Sequence, residues 1–259
     1  MTSRLLMPHR RAERVDRTAR ADVRPVGTQD VRGSTRATAI LDWADPRVTA
    51  LVERVRTAPV ERVRGEASAA ETLRVAHGII ARDIRPVYSV EDRRRVSRTL
   101  RLGRGSCSQR MAVLEAVARA VGVPTRVRGL LVDGVFWYPR FPRLKPLVPE
   151  QVLLAWPEFR LEEAWVPVGE LFGRADGGGR FTNRGGETLF DAVARTTVDW
   201  GGAASCGAPG AACDLSAQVL VDLGHFDSRD ELFARHGQTL CFTARTLGEP
   251  VLGRWSAGL

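Results

Sequence analysis

Lysine is nearly missing from this 259-residue chain: Lys145 stands alone among 39 basic residues, and the rest are arginines. A skew toward Arg and Ala reflects a GC-rich coding composition more than a nucleic-acid ligand. The formal charge of +9 is unevenly placed, because residues 1–37 hold nine Arg against four acids and carry +5 of it. The other 222 residues carry +4, an ordinary solvated surface. Aromatic residues make up 7 %, and no RNA-binding aromatic signature accompanies the basic arm, so no nucleic-acid partner is expected. No apolar run approaches the ~18–20 residues of a membrane span. The opening MTSRLLMPHRR breaks after three apolar residues, without the apolar region of a secretory signal. A cytoplasmic protein with no membrane partner is the expectation. Cysteine is scarce too, and six residues separate Cys206 from Cys213, which is not zinc spacing. Histidine occurs only as His9, His77, His225 and His236.

What is present is a clear punctuation of helices, then strands. Residues 1–37 lack apolar periodicity and read as a disordered or loosely docked arm. Residues 38–259 read as one domain, with a core at 68–170 and a divergent extension at 171–259. Asp45-Pro46 opens a helix with Val48, Leu51, Val52 and Val55 on one face. Ser68 and Glu71 form a capping-box pattern before Leu73, Ala76, Ile80 and Ile84. Glu91–Arg98 is a basic segment. From Ser106, the stripe Cys107, Met111, Leu114, Val117, Ala118 and Val121 predicts a helix stopped by Gly122. The period then falls to two: Thr125–Trp137, with a turn at Asp133-Gly134, Val152–Phe159 and Ala164–Val168 read as strands. Asp191–Thr197 and Ser228–His236 read as short helices. Helices followed by strands predict an α+β fold with an antiparallel sheet. The Gly103-x-Gly105 pair is too short for a dinucleotide or phosphate loop.

Cys107 is the chemically loaded position. A cysteine in the first turn of a helix meets unpaired amide donors and the positive end of the helix dipole, which favour the nucleophilic thiolate. Gly103 and Gly105 leave room for a substrate carbonyl, and Arg101, Arg104 and Arg110 add positive potential. A small apolar residue on a buried stripe is the alternative.

The run Gly103-Arg-Gly-Ser-Cys107-Ser-Gln-Arg-Met-Ala112, continuing through Ala118-Arg119-Ala120-Val-Gly122-Val-Pro124-Thr-Arg126-Val127, resembles the transglutaminase-like superfamily within the papain-like cysteine fold. The resemblance spans residues 68–170 and implies Cys107 as nucleophile at a helix start packed on an antiparallel sheet. The family's following motifs, H-A-W-x-E and W-x-x-x-D, correspond to Leu154-Ala155-Trp156-Pro157-Glu158 and Trp165-Val-Pro-Val-Gly169. Leu154 thus stands where the resemblance implies His, and Gly169 where it implies Asp. An amide leaving group must be protonated, whereas a thioester leaves as thiolate and needs less acid.

The expected function is therefore cysteine-dependent acyl transfer or cyclisation on a thioester-activated natural-product intermediate. The partner is a small acyl thioester, free or held on a carrier protein, and no metal or organic cofactor is implied. A narrower resemblance, to the Dieckmann cyclases of tetramate biosynthesis, implies a Cys, Asp, His order and a place in antibiotic biosynthesis. Cys107, Asp133 and His236 fit that order, with His225 as the other late histidine. Two other classes remain open: a binding protein without catalysis, and a cysteine peptidase or amidase with a relocated histidine.

Overall fold

The structure, a computed structural model, describes residues 31–58, 68–173, 181–202, 213–240 and 242–257. Three helices come before the cysteine. Helix α1 (Pro46–Thr57) starts where Asp45 accepts the Arg47 N–H, and it buries Val48, Leu51, Val52 and Val55. Helix α2 (Ala69–Asp83) starts at Ser68, whose hydroxyl accepts from the Glu71 N–H. Strand β1 (Arg85–Pro86) and strand β2 (Arg104–Gly105) pair in parallel and bracket helix α3 (Val96–Leu102). The basic segment of the sequence therefore runs into a helix, one that buries Val96, Ser97 and Thr99.

Helix α4 (Cys107–Ala120) is the centre of the domain. A reciprocal capping box holds its start: Ser106 Oγ accepts from the Gln109 N–H, and Gln109 Oε1 accepts from the Ser106 N–H. The sequence marks one apolar stripe here, but the helix is buried on its polar side as well, at Gln109, Arg110, Glu115 and Arg119. Burial of such groups is tolerable only when each is bonded. Arg110 donates to Asp191 and Thr188, and Arg119 to Thr125 Oγ1 and the Asp227 carbonyl.

Beyond α4 the chain forms an antiparallel sheet. Strands β3 (Thr125–Asp133), β4 (Gln151–Leu161) and β5 (Ala164–Pro167) join in the expected order. The fold is α+β, as the order of patterns predicts. At Asp133 the first strand ends earlier than its apolar pattern, because Gly134–Trp137 coil into a 3-10 turn. Gly134 is required there: a Cβ would lie 1.9 Å from the Pro149 carbonyl oxygen. Two short parallel strands, β6 (Val198–Asp199) and β7 (Cys213–Asp214), lie apart from this sheet.

The extension supplies a strand and a helix that the sequence does not announce, Val219–Phe226 and Phe242–Leu252. Strand β8 (Val219–Phe226) closes the other edge of β3, giving the order β5-β4-β3-β8. Asp222 and Gly224, with shifts in register beside Gly129 and Leu131, break its alternation. Helix α5 (Leu189–Ala192) lies earlier than the Asp191–Thr197 reading, and helix α6 (Arg229–His236) matches its own. Helix α7 (Phe242–Leu252) then carries the chain back to the cysteine side. There Trp255 and Ala257 bond the backbone beside β1, through Tyr88 and Pro86.

Of the arm, residues 1–30 lie outside the described residues. Residues 31–37 are docked rather than loose: Ser34 exchanges both backbone bonds with Thr125, and Arg119 donates to the Arg36 carbonyl. Among the described residues, no helix is long and apolar enough to cross a membrane.

Candidate active site

Cys107 is the first residue of α4 and half-buried, and it lines a cavity of about 310 Å3. Ser106 and Ser108 flank it on the same first turn. The Gln109 and Arg110 N–H groups bond to Ser106. Those of Cys107 and Ser108 have no acceptor within the helix, the general condition of a helix start.

The rest of the cavity is mostly apolar. Val87 and Val90 come from the segment after β1, Phe136, Trp137 and Phe141 from the 3-10 turn and the loop after it, and Leu153 and Leu154 from β4. Leu252, Trp255 and Ala257 of the C-terminal segment complete it. Arg140 also lines it, with its guanidinium committed to Asn183 Oδ1 and the Ala257 carbonyl at 2.9 and 2.7 Å. Among the lining residues there is no histidine, and Asp92 is the one carboxylate.

The sequence candidates separate. Cys107 and Leu154 share the cavity. Asp133 does not line it: its Oδ1 accepts the Val135 N–H at 3.0 Å and caps the 3-10 turn. His236 does not line it either. It is exposed at the end of α6, edge-on to the Phe226 ring at 5.5 Å, and partial burial and neighbouring Arg235 push its imidazole down. Of the Cys107, Asp133, His236 grouping, only Cys107 is among the residues that line this cavity.

The other histidines have structural partners. His225 Nε2 lies 3.2 Å from Glu158 Oε1, and Arg126 Nε donates to Glu158 Oε2 at 2.7 Å. Burial pushes the Glu158 carboxyl up, but its interactions with His225 and Arg126 outweigh that and hold it below its ordinary range. His77 stacks on Phe190 and its Nε2 donates to the Phe190 carbonyl at 2.6 Å; burial pushes it down. His9, Cys206 and Cys241 lie outside the described residues.

None of Gly103, Gly105, Arg101, Arg104 and Arg110 is among the residues that line the cavity. Gly103 is the left-handed end of α3 at φ 57°, and Gly105 pairs with Pro86 while its carbonyl accepts the Val87 N–H. Arg110 turns into the core, where Asp191 neutralises it and Phe190 lies 4.3 Å beneath it. Gly169, where the resemblance implies Asp, is closely packed as well. A Cβ on Gly169 would come within 2.2 Å of the Val198 carbonyl oxygen and 3.0 Å of Trp156.

With this geometry in place, comparison with known families is decisive for the class of domain. The model of the transglutaminase-like superfamily matches residues 51–169, from α1 through β5. Residues 51–169 form a transglutaminase-like superfamily domain. Neither the curated proteins nor the solved structures provide a match. Cys107 lies within the matched residues, and domains of this superfamily usually catalyse acyl transfer or proteolysis. Three features escaped sequence analysis: Asp92, Thr239 and the Leu252–Ala257 wall. None lies in a periodic pattern: Gln109 holds the segment that carries Asp92, and the return of the chain beyond residue 169 brings Thr239 and the Leu252–Ala257 wall to the cavity. Among the described residues, no group of three or more His, Cys, Asp or Glu could hold a metal ion.

Proposed function

We propose that the chain is a thiol acyltransferase that takes an acyl group from a thioester onto Cys107 and releases it to a nucleophile of the same acyl chain, closing a ring. The observation that carries this is the company of Cys107: a mostly apolar cavity lined by no histidine, with Leu154 at the position where the resemblance implies one. Without an imidazole, the expulsion of an amide nitrogen lacks its proton donor, and peptidase chemistry is disfavoured. A thioester is matched to the site, because its leaving thiolate is stable enough to depart with modest assistance. The free first-turn amides of α4 suit the developing oxyanion. The apolar lining holds water from the acyl-enzyme, which favours an internal carbon or amine nucleophile over hydrolysis. The volume lies near the lower end of the ~300–1,000 Å3 of small-molecule sites.

The test is intact mass. Incubation with the N-acetylcysteamine thioester of octanoate should add one octanoyl group to the wild-type chain and none to Cys107→Ala. A wild-type chain that remains unmodified by this and by a β-ketoacyl thioester would leave a domain that binds and does not catalyse.

A further inference from the structure

Acyl transfer through a thiol moves a proton twice, and the family's group for that task is missing here. Asp92 is the one carboxylate on the cavity that Cys107 enters. Its place is determined from two sides. On one side, Gln109, two residues after the cysteine, donates through Nε2 to the Glu91 carbonyl at 2.8 Å and to Ser89 Oγ at 2.7 Å. That fixes the segment carrying Asp92 to the first turn of α4. On the other side, the Thr239 N–H donates to Asp92 Oδ2 at 3.4 Å, and Thr239 Oγ1 accepts the Leu153 N–H at 3.2 Å. Leu153 adjoins Leu154, the position of the missing histidine. Asp92 thus spans the gap between the cysteine helix and the strand from which an imidazole would ordinarily come.

We propose that Asp92 is the proton-transfer group of this site, exchanging protons with Cys107 and with the substrate in their shared cavity. The proposal rests on the acyl-transfer function above. In the first half, the Cys107 thiol gives its proton to the Asp92 carboxylate as its sulfur bonds to the acyl carbon. The bond from that carbon to the carrier sulfur breaks, and the departing thiolate takes the proton back from Asp92. In the second half, an amine or acidic C–H of the acyl chain gives its proton to Asp92 and attacks the acyl carbon. Cys107 leaves as thiolate and is reprotonated by Asp92. Every bond and proton is accounted for without a further reagent.

The surroundings tune the carboxyl for this work. Burial pushes it up to about 6, against the Thr239 N–H and the charges of Arg229 and Arg245, with Glu249 adding to the rise. Arg229 approaches through Ser108, whose hydroxyl accepts from it at 2.9 Å. Glu249 is itself held by Arg94 and by Ser89 Oγ. A carboxyl poised near neutrality is a better match to a thiol than an ordinary one, since proton transfer is most efficient when the two affinities approach each other.

The experiment measures octanoylation of Cys107 by the N-acetylcysteamine thioester between pH 5 and 9, in the wild type, Asp92→Asn, Asp92→Ala and His236→Ala. The wild-type rate should rise through a limb near pH 6, the value to which Asp92 is pushed. Asp92→Asn should lose that limb and about 100-fold in rate at pH 7, while His236→Ala stays near wild type. Acetate added to Asp92→Ala should restore part of the rate, which a purely structural role would not allow. Asn retains the acceptor for the Thr239 N–H, and circular dichroism checks each fold. If Asp92→Asn acylates within threefold of wild type with the same limb, the inference is overturned and the function stands. If the wild type takes no acyl group, the function fails, and iodoacetamide alkylation of Cys107 still decides the inference. An alkylation profile that loses its pH 6 inflection in Asp92→Asn supports the coupling of the two groups, and identical profiles overturn it.

Discussion

Arg229 and Glu115 form an ion pair in which neither side chain reaches solvent. The arginine belongs to α6, beyond the superfamily domain, and the glutamate to the middle of the cysteine helix. Arg229 also donates to Ser108 Oγ and to the Ala155 carbonyl at 2.9 and 3.3 Å, tying α6 to the first turn of α4 and to β4. Burial pushes the Glu115 carboxyl up against the pull of Arg229 and Arg119, and its second oxygen finds no hydrogen-bond partner among the described residues. The site is therefore supported from behind by a charge pair that is costly to break.

Arg229→Met should strand the Glu115 carboxylate and cost about 3–5 kcal/mol in urea unfolding at pH 7. The double variant Arg229→Met with Glu115→Leu should recover most of that loss, since it removes both charges. A single variant that loses less than about 1 kcal/mol would show the pair to be solvated.

Restoring the family's residues should have opposite outcomes at the two positions. Leu154→His should fold and bring an imidazole into the cavity, shifting Cys107 alkylation by iodoacetamide to lower pH. Gly169→Asp should lose about 2 kcal/mol or more, because its Cβ has no room against Val198. A stable Gly169→Asp, measured by thermal unfolding, would mean that the β6 backbone yields easily.

Asp133→Asn and His236→Ala should each leave the rate of Cys107 acylation within about twofold. Neither residue lines the cavity, and removal of a true proton-transfer group costs ~10²–10⁴ in rate. A hundredfold loss in either variant would show that its segment moves into the site when substrate binds.

Truncation should separate two parts of the arm. Removing residues 2–30 should leave the melting temperature nearly unchanged, since that stretch carries no periodic apolar face. Removing residues 2–37 also deletes the Ser34 pairing with Thr125, the Arg36 carbonyl that accepts from buried Arg119, and the Val31 contact. That loss, roughly 2–3 kcal/mol, corresponds to roughly 5–10 °C for a domain of this size.

Asp92 should also shape stability against pH. Its folded carboxyl lies at about 6 against a reference of 3.8, so folding favours the protonated form. The ionisation penalty is absent below pH 4, grows between pH 4 and 6, and is complete above pH 6. Asp92→Asn escapes it, so the variant should gain about 2–3 kcal/mol relative to wild type on going from pH 4 to pH 7. Urea titrations at the two pH values measure the difference, and an equal offset at both would mean that Asp92 ionises freely in the fold.

The local chemistry of the chain determined much of the fold on its own. Asp45-Pro46, Ser68 with Glu71, and Ser106 with Gln109 start helices because their side chains satisfy amides within three residues, a decision made without tertiary contacts. The placement of Cys107 at a helix start and the alternation of β3 over residues 125–129 are local in the same sense. Tertiary structure alone decided what surrounds the thiol. Asp92 lies in the stretch Glu91-Asp-Arg-Arg-Arg, where a carboxylate reads as a solvated charge until Gln109 and Thr239 fix it at the cavity. Arg110, Arg119 and Arg229 likewise read as surface, yet each is buried by partners 6 to 121 residues away in the chain. Helical periodicity records which side of a helix is apolar. It does not record that α4 is enclosed on every side, because its polar face is covered by pairing, and the partners are chosen only when distant segments meet.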